Sequence, residues 1–599
     1  YGGSGNDTIA ITGTVTGGLV GGQVGADLVT IASGDVVGAT LQLTVSDDTS
    51  TLADTLVVSG GSLSNSTITA GSGADSLSIS GAVVGGSITA GAGADSLLVG
   101  SSLGGFIDLG AGNDYVSAGG SLRAATLLGG SGSDSLTFAG GTGSSLVGGY
   151  DADSLIFTSN LVASTVIGGD PSDGGSALDG NDSVYVGGSI SGVLAAGNFG
   201  DDTISVTGSA VNSSLYGGSG NDLISLGSVV SAGVIYGNSG NDSIYVGSTL
   251  AGAASIFGGN NTNAGDLDQD FISISAISSG YVWADQGNDT VLVAGNGLNA
   301  SIYGASGNDS VSIVGSASAA QIQGGAGADS ILINGSVLGG SSIFGGSTGS
   351  DATADGADYV SIGGGLTSAQ ALGNLGDDTI LIGTQVRAAT IWGGSGNDSV
   401  NVAAGGLTAG SAFYGNIGDD SLVVTGDIVS SSVYGDDAVD ATTDGNDSVV
   451  VVGAFSSSYF TGGGGNDLFS VSGTLDTSSV LGGSGNDSFT FGGITASTSV
   501  LGGVGNDVMS IGGTIATGSV LGEAGNDSLV VNTITRAYID GGDGNDTLSV
   551  AGTINEAASL LGGSGSDLIS VAGSASKAYI DGGADNDTIN LLGGLTSTT

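Results

Sequence analysis

The sequence predicts an all-β chain, a parallel β-solenoid of about 28 coils of roughly 20 residues each. Three observations predict it. A glycine-rich turn closed by Asp recurs along all 599 residues. An apolar, variable, apolar triplet follows each of those Asp residues. The composition, with 123 Gly, 1 Pro and 39% hydrophobic residues, supplies both tight turns and a core.

The turn sets the phase. Taking the Asp that closes each GGSGND-like segment as an anchor gives Asp7, Asp27, Asp54, Asp75, Asp95, Asp114, Asp134, Asp153, Asp182, Asp202, Asp222, Asp242, Asp270 and Asp289. The series continues with Asp309, Asp329, Asp358, Asp378, Asp398, Asp420, Asp447, Asp467, Asp487, Asp507, Asp527, Asp546, Asp567 and Asp587. Intervals are 19 to 22 residues except for five of 27 to 29, which make longer coils at about 28–54, 154–182, 243–270, 330–358 and 421–447. Glycine gives such turns the positive-φ positions they need.

The first strand follows the anchor. Its second position is apolar in all 28 coils, from Ile9 to Ile589, and its fourth is again apolar, with Ala118 the one small residue. The positions between are mostly Ser or Thr, so the segment reads as a strand with one buried face. A second strand precedes each turn, as around Leu215 and Tyr216. Two short strands per coil cannot bury their apolar face alone, so the coils must stack in parallel. No linker or shift in composition interrupts the pattern, and 1–599 reads as a single continuous domain.

Composition excludes several functions. The chain has 4 Lys and Arg, 56 Asp and Glu, no His and no Cys, for a net charge of −52. Its only cations are Arg123, Arg387, Arg536 and Lys577. Nucleic acid and anionic membranes are disfavoured, because both need clustered basic residues. No apolar run is long enough for membrane insertion. General acid–base and nucleophilic chemistry lack their usual residues, so the chain reads as not an enzyme. Of the acids 54 are Asp, and only Glu523 and Glu556 are Glu. That bias puts short carboxylates at fixed turn positions and makes cations the natural partners.

GGSGND followed by Ser or Thr and an apolar residue resembles the RTX nonapeptide, glycine-glycine-x-glycine-x-aspartate-x-apolar-x. Near-complete copies end at Asp7, Asp134, Asp222, Asp309, Asp398, Asp487 and Asp567. The resemblance implies a β-roll in which turn Asp side chains and carbonyls bind calcium between coils. Every anchor above is then an expected ligand except Asp54, which follows Ser-Thr-Leu-Ala, and Asp153, which follows Gly-Gly-Tyr-Asp-Ala. Electrostatics argue the same way. Carboxylates stacked about 5 Å apart repel by about 1 kcal/mol per pair in water and about 4 at an effective dielectric of 20. A hard cation with oxygen ligands removes that repulsion. Because the motif occurs once per coil, calcium is expected along one edge, with up to about one ion per coil interface.

Two further features keep the same phase. The long coils carry extra acids: Asp47 and Asp48; Asp170, Asp173 and Asp179; Asp266 and Asp268; Asp351 and Asp355; and Asp436, Asp437, Asp440 and Asp444. From Asp182 the long coils recur every 88 or 89 residues, so each fourth coil bears a loop. Asp170, Asp173, Asp179, Asp266, Asp268, Asp351, Asp355, Asp436, Asp440 and Asp444 are candidates for extra calcium, for contact with a neighbouring copy, or for plain solvent loops. An aromatic stripe lies just before the turn glycines, with Phe257 and Phe344 in it. Its candidate surface-contact residues are Tyr216, Tyr236, Trp283, Tyr303, Trp392, Tyr414 and Tyr434. Alternation points these rings outward, to stack on sugars, to pack a neighbouring copy, or to fold over their own turns.

The function expected is a calcium-stabilised extracellular structural protein, a surface-layer or filament subunit. It would assemble with itself laterally or head to tail, since the residues after Asp587 and before Asp7 are in register for one more coil. Cell-surface polysaccharide is a further candidate partner. In composition the chain resembles cyanobacterial calcium-binding surface fibril proteins and bacterial S-layer proteins with RTX repeats. The alternatives are an adhesin or glycan-binding stalk, and the calcium-folded repeat region of a secreted enzyme or toxin.

Overall fold

A computed structural model describes residues 1–44, 51–170, 179–259, 267–347, 355–436 and 445–598. The described residues form strands, bridges, turns and bends and contain no helix, and the strands pair in parallel as a β-solenoid. The chain divides into two compact units, Tyr1–Ala294 and Gly295–Thr599. Each contains 14 of the anchors.

The coil after Asp202 shows how sequence becomes structure. Its first strand, Thr203–Val206, turns Ile204 and Val206 inward, each 1% exposed. A two-residue strand, Ala210–Val211, comes next and buries Ala210. The strand before the turn, Ser214–Ser219, buries Leu215. The sequence reading gives two strands per coil, and the structure adds the short middle one. Two residues are too few to show the alternation by which a strand is read.

Neighbouring coils repeat this with like residues on like. Ile204 pairs with Ile224, Ala210 with Val230, and Leu215 with Ile235. The interior is therefore a set of apolar columns, each step adding one buried side chain to its neighbours above and below. In the second unit the columns widen to hold Phe455, Phe460, Phe469, Phe489 and Phe491, with Phe460 and Phe469 stacked at 4.1 Å.

Among the described residues most buried polar side chains gather at two corners, and both solve a backbone problem. Where the chain turns between the second and third strands, a buried N–H faces no carbonyl, and such groups must be paired. The next coil supplies a serine hydroxyl. Val193 N donates to Ser213 Oγ at 3.2 Å, and Ser458 N to Ser478 Oγ at 3.2 Å. Each hydroxyl passes its own proton to a carbonyl two residues back, Ser213 to Val211 at 3.0 Å and Ser478 to Asp476 at 2.9 Å. Asp occupies the other corner.

Candidate metal centre

At the turn the anchor N–H also lacks a carbonyl to meet, and the anchor carboxylate of the next coil accepts from it. In the first unit this linkage runs without a break from Asp7 to Asp289, as Asp202 N to Asp222 Oδ1 and Asp222 N to Asp242 Oδ1, both 2.7 Å. In the second it runs from Asp309 to Asp587, as Asp487 N to Asp507 Oδ1 at 2.7 Å and Asp567 N to Asp587 Oδ1 at 3.1 Å. One oxygen of each carboxylate is thus committed to the backbone.

At most anchors the other oxygen is not. Oδ2 is sealed from solvent without a hydrogen-bond donor at every anchor from Asp75 to Asp270 and from Asp329 to Asp567. Asp54 departs: its Oδ2 accepts from the Thr44 hydroxyl at 2.8 Å. Asp153, the other anchor set aside on sequence grounds, holds its place in the column. Asp134 N donates to it at 2.7 Å, it is 2% exposed, and its Oδ2 has no donor. The lost turn glycine spacing hides this in the sequence.

From Asp134 to Asp270 and from Asp329 to Asp567 each lone oxygen faces a glycine, whereas Ala70, Ala90 and Leu109 stand at that position before Asp75, Asp95 and Asp114. A methyl group at Gly324, Gly541 or Gly582 would lie 2.5 Å from the Oδ2 of Asp329, Asp546 or Asp587. The same addition at Gly217 or Gly393 would reach the carbonyl oxygens of Gly237 and Gly415, in the following coil, at 2.7 and 2.8 Å. Absence of a Cβ therefore lets one carboxylate oxygen and one carbonyl oxygen close in on the glycine, in a niche too tight for a methyl group. Among the described residues no three carboxylates converge on one point. A site here would be built of one Asp and main-chain carbonyls per coil, a hard-oxygen donor set of the kind calcium takes.

The buried setting makes the carboxylates basic. Burial, the leading cause, lifts Asp75, Asp95, Asp114, Asp134 and Asp222 from an ordinary 3.8 to about 7. It lifts Asp182 and Asp270 to about 8, and Asp153, Asp202 and Asp242 to about 9. In the second unit Asp358 reaches about 9, Asp420, Asp447 and Asp467 about 8, and Asp507, Asp527 and Asp546 about 6. The accepted backbone N–H opposes the shift, and neighbouring carboxylates add to it. Either a proton or a cation must answer this column.

The residue before the anchor contributes a second latch of opposite sense. Asn506 N donates to Asn486 Oδ1 at 2.7 Å, and Asn526 N to Asn506 Oδ1 at 2.8 Å, with the amide nitrogens adding bonds of 3.1 and 3.0 Å. Asp thus reaches one neighbouring coil and Asn the other. These Asn ladders are exposed, so Asn506→Ala is expected to cost about 1 kcal/mol. Thermal melts should show that loss undiminished by chelator, because the amides lie outside the niche.

Of the loop acids, Asp173, Asp266, Asp351, Asp440 and Asp444 lie outside the described residues, as do Asp47, Asp48 and Asp437. The others hold main chain at the loop bases. Asp179 Oδ2 accepts from Phe199 N at 3.3 Å, Asp268 Oδ2 from Gly240 N at 2.6 Å, and Asp355 Oδ2 from Ser347 N at 3.0 Å. Asp436 accepts from Gly445 and Gly464 at 3.2 and 3.1 Å, and the Asp170 carbonyl accepts from Asn198 Nδ2 at 2.8 Å. These contacts close loops onto coils.

The aromatic residues are half-buried on the outer side of the third strand, and the rings face one another. In the first unit Tyr216 and Tyr236 stack at 5.3 Å, Tyr236 and Phe257 at 4.6 Å, and Tyr281 and Trp283 at 6.3 Å. In the second, Trp392 and Tyr414 stack at 5.8 Å, and Tyr414 and Tyr434 at 4.6 Å. Tyr303 occupies the same position and pairs in register with Gln323. Within each ladder the ring faces that a sugar would use meet neighbouring rings.

No family model matches the chain, and no curated protein matches it. A match among solved structures is the crystal structure of a hyperactive, Ca2+-dependent, beta-helical antifreeze protein from an Antarctic bacterium. It is 20% identical and covers 63% of this chain and 81% of that one, with a TM-score of 0.23. A superposition that loose carries nothing about this chain's ligands.

Proposed function

We propose that the chain is a calcium-stabilised structural solenoid of the RTX type that acts outside the cell as a subunit of a self-assembled layer or filament. The observation that carries the reading is the column of buried Asp oxygens with no donor, which from Asp134 to Asp270 and from Asp329 to Asp567 face glycines and mostly lie near a main-chain carbonyl. The anchors from Asp75 to Asp270 and from Asp329 to Asp567 would hold the ions, with turn carbonyls such as those of Gly237 and Gly415. Bound calcium supplies the positive charge that lets the column stay ionised inside the fold. Weak sites of this kind suit the millimolar calcium found outside cells. A structural role is supported by the absence of His and Cys from the sequence.

Substitution by asparagine separates the ion from the fold. Asp202→Asn, Asp222→Asn and Asp242→Asn together keep the oxygen that accepts each backbone N–H and neutralise the one in the niche. Isothermal titration is expected to show uptake of many calcium ions by the parent and correspondingly fewer by the variant. In metal-free buffer at pH 6, where the parent still folds, the variant should melt no lower than the parent. Equal uptake by both chains, or none by either with a full strand spectrum, would remove calcium from the reading and leave a column of protonated carboxyls.

A further inference from the structure

The net charge of −52 is distributed unevenly over the coil. The turn edge carries exposed acids such as Asp201, Asp377 and Asp419. The outer side of the third strand carries Asp108, Asp540 and Asp581. All four cations, with Asp476 and Glu556, lie at or beside the corner between the second and third strands. The outward side of the first strand carries no charge at all. Its two outward residues per coil run from Thr8 to Leu292 in the first unit and from Ser310 to Asn590 in the second, and none is Asp, Glu, Lys or Arg.

This face is also the regular one. Between Ser183–Val186, Thr203–Val206, Leu223–Leu226 and Ser243 onward, four consecutive residues pair in parallel without a shift. Register breaks fall elsewhere, as between Val246 and Thr249, beyond the first strand. One outward row of this patch is Tyr185, Ser205, Ser225 and Tyr245, and the other is Ser183, Thr203, Leu223 and Ser243. Tyr185 and Leu223 are 38% exposed and Tyr245 40%.

We propose that this face is where a second copy of the chain docks, face to face, in the self-assembly put forward above, on which the inference rests. Three properties select a copy of itself as occupant. Two chains this acidic repel wherever their carboxylates meet within a Debye length of about 8 Å, and the first-strand face carries none of its own. Hydroxyls both donate and accept, so a serine face is complementary to its own image, whereas a carboxylate face only accepts. The size is also sufficient. Four residues at about 3.3 Å and 14 coils at about 4.8 Å give a unit a face of roughly 900 Å², against about 800 Å² per partner in a standard interface.

The test places charge on the face. In calcium, sedimentation velocity is expected to show wild-type chains associating, and Ser205→Asp with Ser225→Asp weakening that association at least tenfold. Ser214→Asp with Ser255→Asp, on the third-strand side, adds the same charge and should associate as wild type. Strand circular dichroism and calcium-dependent melting confirm the fold of each. Should the first pair unfold the chain, Tyr185→Ser with Tyr245→Ser replaces it, with the same weakening expected. If wild type associates and the face variants associate equally, the docking face is wrong while assembly stands. If wild type stays single at all concentrations, the assembly reading fails and takes this inference with it.

Discussion

Dialysed free of metal, the chain is expected to be most stable near pH 4 and to lose its strand circular dichroism as pH rises through 7 to 9. With calcium present the dependence should reverse. The buried anchors titrate near 4 when unfolded, but when folded Asp222 titrates at about 7 and Asp202 at about 9. Between these values the folded state holds more protons than the unfolded one. Stability is therefore fully present below pH 4 and falls as pH climbs through the folded values. Keeping one carboxyl ionised where its folded value is about 7 costs about 4 kcal/mol, while a whole domain has a net stability of only about 5–15 kcal/mol. A column of such groups in each unit cannot all ionise without counter-charge, and neighbouring anchors will titrate as a coupled set. Calcium binds the deprotonated form and competes with protons, so the loaded chain should weaken on acidification instead. Thermal melts from pH 4 to 9, with and without calcium, measure both arms. Metal-free melting that does not change with pH would show that the buried oxygens carry no such cost.

Much of the column is legible in the sequence because its cause is periodic. An Asp about every 20 residues with an apolar residue two and four positions later calls for stacked coils, and the apolar pair turns inward as alternation requires. What the sequence hides is what the Asp does there. Its first duty is to the backbone, accepting the N–H of the preceding anchor, and nothing in GGSGND distinguishes that role from metal binding. The serine corner is hidden for a different reason. In a chain this rich in Ser, inward Ser213 looks like outward Ser214. The aromatic stripe is legible in phase, but the closeness of Tyr414 to Tyr434 follows from coil spacing, and only the structure shows that their faces meet. Asp153 shows the opposite failure. Its turn departs from the motif, yet its neighbours hold its carboxylate in register.

Gly485→Ala is expected to cost about 4 kcal/mol or more, and Gly410→Ala about 1 kcal/mol. At Gly410 φ is +80° and nothing lies within 4 Å of a new methyl, so the cost is backbone strain alone. At Gly485 φ is +128°, in a region that only glycine adopts readily, and the methyl would collide with the Gly465 carbonyl and stand 3.3 Å from Asn466 N. It can be accommodated only by parting two coils. The chain already contains this contrast. Four residues before the anchor, the second unit accepts Ala305, Asn374, Asn416 and Glu523 at φ values from 77° to 93°. Two residues before the anchor it has Gly in every coil but the one closed by Asp587, where Asp585 adopts 83°. Side chains enter the first position only where φ lies from 77° to 93°, since its glycines, such as Gly394 at +128°, would also collide with the coil below; the second position keeps glycine in 13 of its 14 coils. Because coils in a solenoid couple mainly to their neighbours, the damage should stay local. Hydrogen exchange of Gly485→Ala in calcium is expected to show lost protection in the coils closed by Asp467, Asp487 and Asp507, with those closed by Asp378 and Asp398 unchanged. Equal melting of the two variants would mean that the turn relaxes around the methyl. Protection lost evenly across the unit would mean that its coils fold as one cooperative body, in which case calcium released at any single turn would be felt at all of them.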